Sequence, residues 1–439
     1  MGRGSRRGPK QLRFRTLLET LGEGVDLIPD TRRADRITYG LQDCYRSAFA
    51  MFYLQDPSLL EFQRRFQQQI QSNNLSTVFG VQAIPADTQF RQVLDEHNYR
   101  ALQGVFSEYL RRLQRSKKLE PYQFSPGQYL VTLDGSEYFN SESIHCDLCL
   151  QRNKSDGQRE YYHQIVQPAL VHPDLPQVMP LAPEFIRKQD GSTKQDCETT
   201  AGRRAIERIR SEHPQLSMII VADSLYACAP TVRHLKGHRF SFLLVAKPGD
   251  HKSLFEDIDG LRRGGMLDKL ERKGQGGRGY VYEWTNQIPL NADPKSPEVN
   301  FVQLTIFNDE GKQTFRCSWV SDLQITEKNV EKLVRGARSR WKIENEGFNT
   351  LKNQGYHLEH NFGHGKQYLS EAFFVLNLLA FFMHQILDLV DELYQQVRST
   401  FSARVEFWNA IRATFRIFLF ASWDEVLERM NAPPQQAFH

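Results

Sequence analysis

Two short apolar runs, each ending on an aspartate, constrain this chain more than any other feature: Tyr129 to Leu133 leading into Asp134, and Met218 to Ala222 leading into Asp223. Runs of this length and composition read as strands. Each carboxylate then stands where a buried strand emerges from the core, the edge at which α/β sheets place their chemistry. The plainer account of either residue alone is an aspartate capping the turn that follows a strand. Around them, Tyr161 to Val171 and Gln177 to Ile186 supply two further strand-like segments, so the first three strands suggest an antiparallel meander. A helix from about Asp196 to Ser211, the strand Met218 to Ala222, a helix near Pro230 to Leu235 and a strand Phe240 to Ala246 complete an α/β unit over residues 128–246.

The flanking segments have a different character. Residues 16–120 are rich in Gln, Arg and Leu, with Leu60, Phe62, Phe66 and Ile70 at helical spacing, and read as a helical domain. Pro121, Pro126 and Gly127 close it. Between 247 and 322 glycines punctuate strand-like pieces at Tyr280 to Trp284 and Val299 to Ile306, which predicts a β-rich insertion. Helical pattern resumes near Glu327 and carries the second part of the core over 323–395. C-terminal helices fill 396–439, one opening at Ser422 with Glu425 completing a capping box.

With 439 residues, 40% hydrophobic and 25% charged, the chain has material for a large core and more than one domain, which excludes a disordered scaffold. The formal charge of +4 fits an anionic partner without establishing one. Its distribution says more: Arg3, Arg6, Arg7, Lys10, Arg13 and Arg15 make residues 1–15 a basic, flexible arm able to neutralise phosphates, or else a solvated tail. No secretory apolar region follows it, and the run Ala372 to Met383, broken by Asn377, is too short to span a bilayer, so a cytoplasmic protein is expected. The six cysteines form no disulfide framework.

A third acid lies in Arg338-Ser339-Arg340-Trp341-Lys342-Ile343-Glu344-Asn345-Glu346-Gly347-Phe348, a predicted helix in which Trp341, Phe348 and Leu351 can pack on the core. Successive helical residues are about 100° apart, so Glu344 and Glu346 differ by about 200° and only one can face a cluster. Glu344 shares the side of Trp341 and is preferred; Glu346 stays open. Three converging acids repel unless cations neutralise them, and hard oxygen ligands select Mg²⁺ or Mn²⁺. Two such ions about 4 Å apart can activate a water or 3′-hydroxyl for in-line attack on a phosphodiester.

Leu133-Asp134-Gly135-Ser136, Val221-Ala222-Asp223-Ser224-Leu225-Tyr226 and Arg340-Trp341-Lys342-Ile343-Glu344 resemble the three catalytic blocks of DDE transposases from bacterial insertion sequences. The likeness covers about residues 80 to 395 and includes Ile84-Pro85-Ala86-Asp87. It implies a ribonuclease H-like catalytic core with a β-rich insertion, and Asp134, Asp223 and Glu344 as a catalytic triad binding Mg²⁺ (or Mn²⁺). Arg340 would hold phosphates, with Arg338 and Lys352 as further DNA contacts. Two positions depart from the family pattern: Ala337 stands where it has a tyrosine, and Lys352 falls one residue late. The resemblance further implies double-stranded DNA, as transposon ends and target, as the partner, and a homodimer in the synaptic complex.

Other residues read as secondary sites. His145, Cys146, Cys149 and His163 could supply four ligands for structural Zn²⁺, against the plain reading of reduced surface thiols. His357, His360 and His364, around Gly363 and Gly365, could be metal ligands, but a polar loop contacting DNA or capping the next helix is the simpler reading. Arg262, Arg263, Lys269, Arg272, Lys273 and Arg278 interleave with glycines in the insertion, suited to a phosphate backbone or to a solvated loop. Trp284 and Trp319 are candidates for a base-stacking aromatic, or core. The sequence thus points to a transposase catalysing metal-dependent cleavage and strand transfer. A catalytically inactive DNA-binding descendant and a nuclease without strand transfer are the alternatives.

Overall fold

The computed structural model describes residues 8–66, 69–188 and 197–432. Arg3, Arg6, Arg7 and Asp196, and the side chain of Ile70, lie outside the described residues. The rest of the arm is held down: Lys10–Leu12 form a 3₁₀ turn, and Leu12 is fully buried.

Six N-terminal helices follow: α1 (Phe14–Asp26), α2 (Leu41–Tyr53), α3 (Leu59–Phe66), α4 (Gln69–Phe79), α5 (Asp87–Glu96) and α6 (Gln103–Arg115). Their apolar faces follow helical spacing, as in α6, where Val105, Phe106, Tyr109, Leu110 and Leu113 are buried. Phe62 and Phe66 of α3 are buried as the spacing predicts, whereas Leu60 is exposed.

The strands are β1 (Gln123–Ser125), β2 (Gln128–Ser141), β3 (Leu150–Asn153), β4 (Arg159–Val171), β5 (Met179–Pro180) and β6 (Glu184–Ile186). Next come α7 (Glu198–Glu212), β7 (Ser217–Ala222), α8 (Ala229–Gly237), β8 (Ser241–Ala246) and α9 (Lys252–Arg263), then β9 (Asp268–Lys273), β10 (Gly279–Pro289), β11 (Glu298–Phe307) and β12 (Gln313–Ser321). The result is a mixed α/β protein with one mixed sheet, ordered β3-β4-β2-β7-β8-β12-β11-β10-β9. β2 and β4 are antiparallel, while β2, β7 and β8 run parallel. The expected third strand is broken into β5 and β6, both paired to β4.

The insertion is β-rich as expected but opens with α9. It also extends the core sheet, because β12 pairs with β8 and places Trp319 opposite Val245. α10 (Val330–Arg338) returns the chain to the core, a π-helical turn spans Ile343–Phe348, and α11 (Asn349–Asn353) follows.

The long helix α12 (Leu369–Val390) extends well beyond the apolar run seen in sequence, because Asn377 and His384 are accommodated inside it. Asn377 donates to the Tyr356 carbonyl, and His384 Nδ1 lies 2.6 Å from the Tyr356 hydroxyl. By length and composition it could cross a membrane, yet 89% of its most apolar window is buried within this fold. The N-terminal helices are what bury it: Phe52 and Phe90 pack on Phe373, and Phe106 and Tyr109 on Phe382. The first and last parts of the chain therefore share one core. α13 (Glu392–Ser399), α14 (Arg404–Ile417) and α15 (Trp423–Asn431) close the chain, with Trp408 and Trp423 packed on Tyr53. Ser422 caps α15 by accepting from the Glu425 N–H, as its sequence predicts.

Candidate active site and a thiol–imidazole cluster

β2 and β7 are parallel neighbours in the register Thr132 to Val221. Two residues further along each chain stand Asp134 and Asp223, at the same level on strands about 4.8 Å apart. Because the side-chain period is two, Asp134 leaves the sheet on the side of Thr132, and Asp223, just past β7, is close enough to raise its pKa. Asp223 lies one residue past β7, and its Oδ1 accepts from the Leu225 N–H at 3.0 Å, so it also caps the turn. The structural role foreseen for such an aspartate is real and leaves its other oxygen unused by that bond.

Glu344 is the acid of the third segment that reaches Asp134. Arg340 Nη1 donates to Glu344 Oε1 and lies 3.6 Å from Asp134 Oδ1, so one guanidinium sits between the two carboxylates. Arg340 is largely buried, and its Nε has no protein partner. Glu346 turns away and pairs with Lys342 at 3.4 Å.

The helix carrying them is not a regular α-helix: the Asn349 N–H bonds to the Glu344 carbonyl, five residues back. Such π-helical turns rephase a helix and recur at functional sites. Phe348 and Leu351 are buried as expected, but Trp341 is 55% exposed. Its expected core packing does not occur.

A fourth acid joins the group. Glu198, in the first turn of α7, accepts from the Tyr226 hydroxyl at 3.2 Å and packs against Gly135, where a Cβ would collide with its carboxylate. Sequence reading missed it, since its only signal is an acid opening the helix that returns to the sheet. Burial, opposed by Arg340 and reinforced by Glu344, Glu198 and Asp223, pushes the Asp134 carboxyl up to about 7. Burial and Asp223 also raise Glu198. The four acids therefore feel one another.

The remaining candidates scatter. Lys352 pairs with Glu359 at 2.8 Å, and Arg272 pairs with Glu331 at 2.9 Å. Lys273, at the end of β9, is exposed, and the Arg338 guanidinium lies over the Phe315 ring. Trp284 and Trp319 are both core residues, 4% and 2% exposed. The exposed tryptophan of this region is Trp341. It lines a groove of about 1100 Å³ with Lys332, Arg335, Arg338, Lys342 and Phe315, in which four cations face two acids.

The thiols behave as a group, with one change of member. Cys146, Cys149 and His163 come together as expected, but the fourth residue is His364, and all four are buried. His145 is exposed, with its ring 4.4 Å from that of Tyr161. The histidine loop after α11 thus contributes a buried imidazole, and Asp95 of α5 caps the next helix. Asp95 Oδ1 accepts from the N–H groups of Gln367, Tyr368 and Leu369, and Oδ2 from that of Lys366.

No protein-family model matches the chain, and no curated protein matches it either.

Proposed function

We propose that this chain is a DNA transposase of the DDE type, cutting phosphodiesters at transposon ends and joining the freed 3′-hydroxyl to target DNA. One observation carries the reading: Asp134, midway along β2, is close enough to Asp223, one residue past the parallel β7, to feel its charge, with Glu344 brought to Asp134 across Arg340. The sheet order supports it too. The antiparallel pair β2 and β4 is followed by β7 and β8 running parallel to β2, with β3 and the broken β5 and β6 on β4, a meander leading into alternating helix and strand.

The donor set suits a hard divalent cation, since it is all carboxylate oxygen and Asp134 is pushed toward its neutral form by burial, with the neighbouring acids adding to it. Asp134, Asp223 and Glu344 would hold Mg²⁺ or Mn²⁺, whose chemistry there is to activate a water or 3′-hydroxyl and stabilise the leaving oxygen. The protein's own groups do the rest. Arg340, with a free Nε and a guanidinium already between two acids, is placed to hold the phosphate beside the cleaved bond. The groove along α10 offers cations and an exposed indole to a DNA strand, and such binding weakens with salt. Self-association on paired ends belongs to the same proposal.

The test is incubation with DNA carrying the element's own ends, with Mg²⁺ or Mn²⁺. Cleaved and joined products, both lost in Asp134→Asn, Asp223→Asn and Glu344→Gln while DNA binding persists, are expected. Binding without cleavage in either metal would instead favour a non-catalytic DNA-binding protein, and cleavage without joining a nuclease.

A further inference from the structure

The four atoms of the thiol–imidazole cluster have metric regularity that hydrogen bonding alone does not require. Cys146 Sγ and Cys149 Sγ are 3.8 Å apart, beyond any disulfide, and both cysteines are free. His163 Nε2 lies 3.4 Å from each sulfur, and His364 Nε2 lies 3.3 Å from Cys149 Sγ. All four ligand atoms fall within 4.8 Å of one another. In a tetrahedral zinc site, Zn–S of about 2.3 Å and Zn–N of about 2.0–2.1 Å set S to S at about 3.8 Å and S to N at about 3.5 Å. The cluster matches both spacings.

The surroundings hold these atoms in place. The Cys146 N–H points at Cys149 Sγ at 3.4 Å, and the Cys149 N–H bonds back to the Cys146 carbonyl, so the Cys-x-x-Cys turn presents both sulfurs to one side. Tyr138 stacks on His163 and Phe139 on His364. The imidazole of His364 is oriented by that stacking, since its Nδ1 is buried without a protein partner. Gly365 follows with φ of +69°, where a Cβ would collide with Asp95, and this turn swings His364 inward.

We propose that Cys146, Cys149, His163 and His364 bind one structural zinc ion, which clamps the loop at the end of β2 to the segment entering α12. The ion joins residues 215 apart in sequence. It backs a contact already made by the Asp147 N–H to the Lys366 carbonyl and by Tyr138 to Phe374. The strand bearing Asp134 and the chain that follows Glu344 are thereby fastened together. With every ligand position filled by protein, the site has no place for substrate. This inference stands independently of the proposed DNA chemistry.

The experiment uses the untagged full-length chain purified without chelator. One equivalent of zinc per chain is expected, with an X-ray absorption shell of two sulfurs at about 2.3 Å and two nitrogens at about 2.0 Å. Cys149→Ser and His364→Ala should lose the metal and His145→Ala should keep it. If the variants fail to fold, mercurial modification of wild-type thiols should release the equivalent into a zinc indicator. Protein that carries no zinc and gives no tetrahedral Co²⁺ spectrum on reconstitution would overturn the proposal. So would an oxygen-only shell, or zinc retained without His364 and lost without His145.

Discussion

β2 and the loop that leaves it carry two clusters of ligand-type side chains, built in opposite ways. Midway along the strand, Asp134 meets Asp223, Glu198 and Glu344, all hard oxygens, with Arg340 among them. At the loop, two sulfurs and two imidazole nitrogens are buried within 4.8 Å of one another. Among the described residues, the acids do not reach that mutual spacing. Burial, with the like charges of the other acids adding to it, makes Asp134 hold its proton to about 7. Neutral imidazoles and thiols carry no such penalty and can be packed in advance. A site meant to exchange substrate must stay open, whereas one meant to hold a fold can close completely.

The largest effect that would break this contrast is at Arg340. Arg340→Ala removes the cation shared by Asp134 and Glu344, and cleavage should fall about 10²–10³-fold with zinc content unchanged; a purely structural arginine would alter the unfolding midpoint instead.

Next comes a pH effect confined to the acid end. The folded pKa of Asp134, about 7, lies above its ordinary 3.8, so the folded chain binds the proton more tightly. Its contribution to stability is therefore lost as pH rises from about 4 through about 7. Asp134→Asn abolishes that loss and should stabilise the chain above about pH 7, by on the order of a few kcal/mol. Mg²⁺ should narrow the difference. Urea unfolding at two pH values reads this, and a gap independent of pH would contradict it.

A smaller effect tests the closed end. Asp95→Ala deprives four N–H groups of the loop after His364 of their acceptor, costing about 2 kcal/mol and speeding zinc loss to a chelator. Smallest in stability is Trp341→Ala, within about 0.5 kcal/mol of wild type. Its DNA affinity should drop by about 1–3 kcal/mol if the exposed indole stacks on a base; unchanged binding would remove the groove from the account.

What was legible in the sequence follows the range of the forces involved. β2, β7, β8, α7 and α8 were readable because apolar runs and helical spacing are local. Asp134 and Asp223 were readable as the residues ending two of those runs. β9 was not readable, because it is an edge strand of the sheet with only Leu270 buried. The exposure of Trp341 was missed because facing was reckoned on a regular α-helix, and the π-helical turn at Ile343–Phe348 shifts the phase. Glu198 and His364 share a different cause. Each meets its partners only through the topology, Glu198 by α7 returning to the sheet and His364 by a loop more than two hundred residues from Cys149. The half-site Cys-x-x-Cys was plain in sequence, yet the neighbouring His145 was the natural and mistaken fourth member.

The central claim is that Glu344, and not Glu346, completes the acid site. Its most direct test is cleavage of end-bearing DNA by Glu344→Gln and Glu346→Gln side by side, with Mg²⁺ and with Mn²⁺. The account predicts no cleavage by Glu344→Gln and near-wild-type cleavage by Glu346→Gln, which loses only a pairing with Lys342. Activity surviving Glu344→Gln, or lost in Glu346→Gln alone, would contradict it.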